Sequence, residues 1–278
     1  MGLLEDLLGC VAGCFPRREI RHGYQPGPGG LLAAIRSRFT ALHPGSCAAA
    51  AGQLGRIAKR PPLMLVTDSA CAAEGRSDVT RQVQILAFDG MEVLDYAGPY
   101  EVFNVAGEQT SPAAFKVQTV GVSPRPVGRG GFEVVPVCQY SEAPPADILV
   151  IPGGRGTRPL MRDQALLAWI ARCAAGAELV MTVCTGALLA AAAGLLDGLA
   201  ATTHHGAFGE LERAAPTATV VRSVRFVRSA PRLYTSVGVS AGVDLALHVV
   251  KELAGGEARA ATEAEMEWMW DRDQALLS

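Results

Sequence analysis

The sequence lacks a metal-ligand cluster, a phosphate loop and a GxGxxG dinucleotide fingerprint, so nothing in its residues calls for a metal, nucleotide or other cofactor. It has no long, uninterrupted apolar run. The alanine-rich stretch 185–201 comes nearest, and glycines and Asp197 break it. Its first ten residues, MGLLEDLLGC, carry acids where a secretory leader needs positive charge. Myristoylation would want Ser or Thr at position 6, which is Asp6. A regular cysteine framework is missing too. The seven cysteines are odd in number and irregularly spaced, and Cys10 and Cys14 have no second pair to complete a zinc site. A reducing cytoplasm is the expected compartment. The formal charge is only −2, which gives no footprint for nucleic acid or a membrane surface. No internal repeat is present.

What the 278 residues do contain is apolar substance, 49% hydrophobic against 19% charged, enough for a large core. The charge is unevenly distributed. Residues 1–81 carry 10 basic and 6 acidic side chains, and residues 82–278 the remaining 15 and 21, which divides the chain into segments of different character. Residues 1–81 read as a low-complexity, disordered extension with the breaker cluster GYQPGPGG at 23–30. A marginal helix there would align Leu31, Leu32, Ile35, Phe39 and Leu42.

From Gln82 the pattern is regular. Strands are expected at 83–88, 115–122, 132–137, 148–151, 178–183, around 220–227 and at 233–236. Helices are expected over 91–106, from an Asp163 cap to Ala174, after Val183, over 205–214 and over 241–253. Apolar strands alternating with helices predict one α/β domain over 82–253, a three-layer sandwich with a mostly parallel central sheet of flavodoxin-like type. Residues 254–278 form an acidic tail with helical character. It is too short, and of the wrong charge, for a DNA-binding pair of helix-turn-helix motifs.

In such sheets, sites lie where strands end and helices begin. Three loops stand out. In Val183-Cys184-Thr185-Gly186 a strand runs directly into a helix, the arrangement of a nucleophile elbow. A thiol at a helix N-terminus is expected to favour thiolate. Position alone leaves Cys184 as either this reactive thiol or a small core cysteine. Asp95, after the first strand, either caps a helix or places a carboxyl near Cys184 as general acid and base. Pro152-Gly153-Gly154-Arg155-Gly156 is either a plain loop or a run of backbone N–H groups that forms an oxyanion hole with the amide of Thr185. His204 and His205 either line the crevice or are structural.

The segments ILAFDGMEVLDYAGPYEVF (85–103), ILVIPGG (148–154), VCTGALLAAAAGLLDGLAATTHH (183–205) and TSVGVSAGVDLALHVV (235–250) occur in an order that resembles the ThiJ/PfpI superfamily, relatives of class I glutamine amidotransferases. The likeness is greatest to isonitrile hydratases and to the amidotransferase-like sensor domains of AraC-type regulators. It implies a reactive Cys184 working with Asp95 and Thr185. Gly154 and Thr185 would be oxyanion-hole donors, and Gly153 and His204 would line the pocket. It also implies a small-molecule substrate, no cofactor and a homodimer, with cysteine-dependent hydration of an isonitrile to an N-substituted formamide as the expected activity and a non-catalytic ligand or redox sensor, or a glyoxalase- or deglycase-like activity, as the alternatives. Thr185 stands where the protease, glyoxalase and chaperone branches often place His. Val237-Gly238-Val239 replaces the more usual Gly-Gly-Val and is expected to narrow the pocket.

Overall fold

The structure is a computed structural model and describes residues 79–268. The expected disordered extension and its marginal helix therefore lie almost wholly outside the described residues, as does the end of the acidic tail. The domain opens with β1 (Arg81–Ala87), α1 (Val93–Glu108), β2 (Phe115–Gly121), β3 (Cys138–Gln139) and β4 (Ile148–Ile151). It continues with α2 (Thr157–Leu160), α3 (Gln164–Gly176), β5 (Leu179–Val183), α4 (Gly186–Ala192), β6 (Ala200–Ala201) and α5 (Phe208–Ala214). It closes with β7 (Thr219–Val220), β8 (Phe226–Ala230), β9 (Leu233–Ser236) and α6 (Ser240–Glu265).

Seven strands form one sheet in the order β3-β2-β1-β4-β5-β9-β8. All neighbours are parallel except β8, which runs antiparallel to β9. β6 and β7 make a separate parallel pair. Every residue of β4, β5 and β9 is buried, so helices cover both faces of the central sheet. Ile148, Leu149, Val150 and Ile151 are fully inaccessible, each contributing about 1.5–3 kcal/mol of apolar burial. α1 packs on α6, and α4 packs among α2, α3 and α5. This is the predicted flavodoxin-like α/β sheet.

Local chemistry explains most of the boundaries. Asp163 caps α3 as expected, its Oδ1 accepting the N–H groups of Ala165 and Leu166. Two expectations are corrected. The strand anticipated at 132–137 is only a bridge between Val127 and Glu133, and the ladder forms at Cys138–Gln139 instead. The last helix does not stop at Leu253. It kinks at Gly255, where φ is 92°, and runs on to Glu265. No helix among the described residues is long and apolar enough to cross a membrane.

Candidate active site

Three parallel strands, β1, β4 and β5, end side by side, and their following loops meet at one point. The β9–α6 turn joins them because β9 pairs with β5. Cys184 stands in the left-handed region with φ 56°, directly between β5 and α4. A non-glycine residue there stores about 1–3 kcal/mol of strain. Its backbone is pinned on two sides. Its N–H donates to the Ser236 carbonyl at 3.1 Å, and its carbonyl accepts the Thr203 hydroxyl at 2.8 Å. The elbow inferred from the sequence is therefore present.

Two glycines make room for it. A Cβ on Gly153 would lie 2.7 Å from the Cys184 Cβ and 2.8 Å from Asp95 Oδ2. A Cβ on Gly238 would lie 2.3 Å from the Cys184 Cβ and 2.9 Å from its sulfur. Neither position tolerates a side chain without displacing the thiol or its partner.

Asp95 does not cap α1. It lies in the first turn, fully buried, with both carboxylate oxygens engaged by backbone. Oδ1 accepts the Val239 N–H at 2.7 Å, and Oδ2 accepts the Gly153 N–H at 3.2 Å. The Cys184 thiol also hydrogen-bonds this carboxylate. Burial pushes the Asp95 carboxyl up to about 6, and the three hydrogen bonds only partly offset that rise.

The expectation of a thiolate is overturned. Burial first, and then the charge of Asp95, push the Cys184 thiol up to about 12, although the Thr185 N–H favours the anion. α4 has only seven residues, and its dipole is outweighed by desolvation of a sulfur in a residue 6% exposed. Both shifts run the same way, and the one on the sulfur favours a neutral thiol beside the Asp95 carboxyl.

Thr185 is buried, and its hydroxyl exchanges two hydrogen bonds with Gly154. It accepts the Gly154 N–H at 2.8 Å and donates to the Gly154 carbonyl at 3.0 Å. In this structure the Gly154 N–H is thus committed to Thr185. Gly153, expected as a pocket residue and part of the N–H run, gives its N–H to Asp95. His204 is partly exposed, its Nδ1 accepting the Gly206 N–H at 3.1 Å and its ring 4.1 Å from that of His205. Burial and the neighbouring positive groups His205 and Arg158 lower its proton affinity.

Val239, Gly238 and Thr203 were not singled out from the sequence as site residues. Only the small residue in Val237-Gly238-Val239 hinted at a close approach. Val237, which occupies the usual glycine position, gives its N–H to the Arg225 carbonyl at 2.9 Å, while Gly238 preserves the contact with Cys184. No group of three or more His, Cys, Asp or Glu side chains among the described residues is placed to hold a metal ion. Two cavities of about 360 and 300 Å³ lie away from Cys184, one beside Arg81, Gln109 and Glu257 and the other beside Leu195 and Arg232.

The DJ-1/PfpI family model matches residues 81–252. Isonitrile hydratase of Pseudomonas putida is 34% identical over 188 residues, which cover 67% of this chain and 78% of that protein. The HTH-type transcriptional regulator GbdR of Pseudomonas aeruginosa is 26% identical over 182 residues, 65% of this chain and 49% of that one. The crystal structure of a ThiJ/PfpI family protein from Pseudomonas syringae superposes with a TM-score of 0.63 at 28% identity, covering 76% of this chain and 84% of that one. The sheet, the elbow and these likenesses agree, and the chain belongs to the DJ-1/PfpI family.

Proposed function

We propose that the domain hydrates a small carbon–nitrogen substrate, an isonitrile, to an N-substituted formamide, with Cys184 as nucleophile and Asp95 as the proton carrier. One observation carries this reading. Asp95 is fixed against the thiol by two backbone N–H groups, and no histidine adjoins the cysteine in sequence. A carboxyl raised to about 6 is suited to both taking and returning a proton near neutrality. The slight exposure of Cys184 favours a narrow head group, and a terminal isonitrile carbon is one atom wide.

The chemistry then runs in three steps. Asp95 takes the thiol proton as sulfur bonds to the isonitrile carbon, and delivers it to that carbon to give a thioimidate. Ionised again, Asp95 takes a proton from water as the hydroxyl adds to the same carbon, and passes that proton to the nitrogen, which becomes N–H. The tetrahedral adduct then collapses: Asp95 takes the hydroxyl proton as the carbonyl forms and the carbon–sulfur bond breaks, leaving the formamide. The Asp95 proton returns to sulfur. Thr185 orients the elbow through its bonds to Gly154, and its backbone N–H lies against the sulfur. Similarity to isonitrile hydratase supports the assignment. The test is incubation of the purified protein with cyclohexyl isocyanide, followed by chromatography for N-cyclohexylformamide. Wild type forms it and Cys184→Ala does not. Absence of product, or equal formation by the variant, refutes the reading.

The likeness to a transcriptional regulator supports a second reading, a non-catalytic ligand sensor. A redox version fits poorly, because a buried thiol held up to about 12 resists peroxide. As an enzyme the domain acts alone or as the expected homodimer, in the cytoplasm, on a small molecule and without a cofactor.

A further inference from the structure

Val239 is the one valine among the described residues with a positive φ, at φ 52° and ψ −111°. Those angles belong to the second residue of a type II′ turn, a place glycine normally takes. The turn is real: the Ala241 N–H donates to the Gly238 carbonyl at 3.1 Å. A β-branched side chain holds such a conformation only where its surroundings over-determine it. Here the Val239 N–H ends on Asp95 and the Gly238 backbone presses on Cys184. Something must hold the turn in place.

Arg225, in the loop before β8, does so from three directions. Its carbonyl accepts the Val237 N–H at 2.9 Å, just ahead of the turn. Its Nη2 reaches the Ser240 hydroxyl at 3.2 Å, inside the turn. Its Nε pairs with the buried carboxylate of Asp244, one helical turn into α6. Gly242, between them, sits against Val183 at the end of β5, so the first turn of α6 is seated directly on the strand that leads to Cys184.

We propose that Arg225 is a positioning residue for the Asp95–Cys184 pair: by fastening the strained Gly238–Ala241 turn, it keeps the Val239 N–H on the Asp95 carboxylate. It touches neither reacting group and acts only through Val239. The inference rests on the reading of Cys184 and Asp95 as the reactive pair. The titratable groups acting on Asp95 are Cys184 and Glu92, the latter paired with Arg129. Neither lies on the path from Arg225, so a change in the Asp95 proton affinity on altering Arg225 reports the turn.

The test reads Cys184 directly, without relying on turnover. The purified full chain is alkylated with iodoacetamide across a pH series, and modification of Cys184 is quantified by peptide mass spectrometry. In the wild type the rate steps up as Asp95 ionises, and Asp95→Asn removes that step. Arg225→Met moves the midpoint upward by about one pH unit, because a carboxylate that loses a backbone N–H holds its proton more tightly. Arg225→Lys, which keeps the charge opposite Asp244 but lacks the fork that also reaches Ser240, moves it part of the way. Ser240→Ala removes a single bond and serves if Arg225→Met does not fold, again with an upward shift expected. An unmoved midpoint in folded Arg225→Met, or in Ser240→Ala where that is the usable variant, overturns the role of Arg225. A wild-type profile with no Asp95-dependent step overturns the reactive pair itself. A normal profile without formamide formation overturns only the hydration reading.

Discussion

Asp95→Asn separates the electrostatics of the site from its shape. In the folded protein the carboxyl is raised from an ordinary 3.8 to about 6, chiefly by burial. A folded-state value above the unfolded one means that the stability linked to this group is fully present below pH 3.8 and is lost as pH rises through about 6. The shift corresponds to about 3 kcal/mol. The residue is fully buried, so solvent screening removes little of that. Below pH 3.8 the protonated carboxyl and the variant's amide are alike, each with one donor group against the two backbone N–H groups that Asp95 faces. The two proteins should then be of similar stability. As pH rises the wild type must bury a charge and the variant need not.

The variant's stability relative to wild type is therefore expected to grow by about 3 kcal/mol between about pH 4 and about pH 8, while formamide production is abolished. Urea unfolding at intervals across that range measures it, and subtracting the two curves cancels every other titrating group. The thiol does not disturb the window, because it stays protonated in the folded state throughout it. Parallel stability curves would refute the raised carboxyl. A wild type that gains on the variant with rising pH would mean that the two backbone N–H groups outweigh burial, and the ordering of causes given above would be wrong.

Gly238→Ala should be among the most damaging small substitutions in the domain, because the new carbon would lie 2.3 Å from the Cys184 Cβ with the backbone held at φ 101°. A loss of about 2–4 kcal/mol is expected, seen as a lowered melting temperature together with lost Cys184 alkylation, and a melting temperature within a few degrees of wild type would contradict the contact. Thr203→Val keeps the shape but removes the 2.8 Å bond to the Cys184 carbonyl, which is left with only the longer 3.4 Å bond from the Ala187 N–H. It should cost about 0.5–1.5 kcal/mol in urea unfolding, whereas Thr203→Ser should recover most of it.

The sheet was legible because its central strands are short, wholly apolar and bounded by turn residues. Ile148–Ile151 matched to the residue, stopped by Pro152-Gly153-Gly154. The places of Cys184, Thr185 and Asp95 at a strand end or in the first turn of the next helix were legible for a related reason, whereas the roles expected of them came from the family resemblance. What failed depended on tertiary contact. Helical position alone suggested a thiolate at Cys184, but the state of the sulfur is set by how deeply the fold buries it and by a carboxylate 89 residues away in sequence. The helix expected over 241–253 and the helical character expected of the tail turn out to be one kinked element, with the kink at Gly255. The chain kinks there and resumes, with Arg259 and Glu263 paired one turn apart beyond the kink. Val239 gave no signal, since a valine between glycine and serine reads as ordinary until its φ is known.

The distribution of cost bears on what the site is for. Two non-glycine residues in the left-handed region, Cys184 and Val239, and one fully buried carboxylate converge within a few bonds of one sulfur. Each carries a local penalty of about 1–3 kcal/mol. A cysteine that merely filled core volume would need none of them, because an apolar residue at position 95 and a glycine at 239 would pack the same strands at lower cost. Strain and desolvation held at one spot, and stabilised by the fully buried strands beneath it, are what a preorganised reactive thiol requires. That convergence, rather than the presence of a cysteine on a turn, is the strongest physical argument that Cys184 and Asp95 act together.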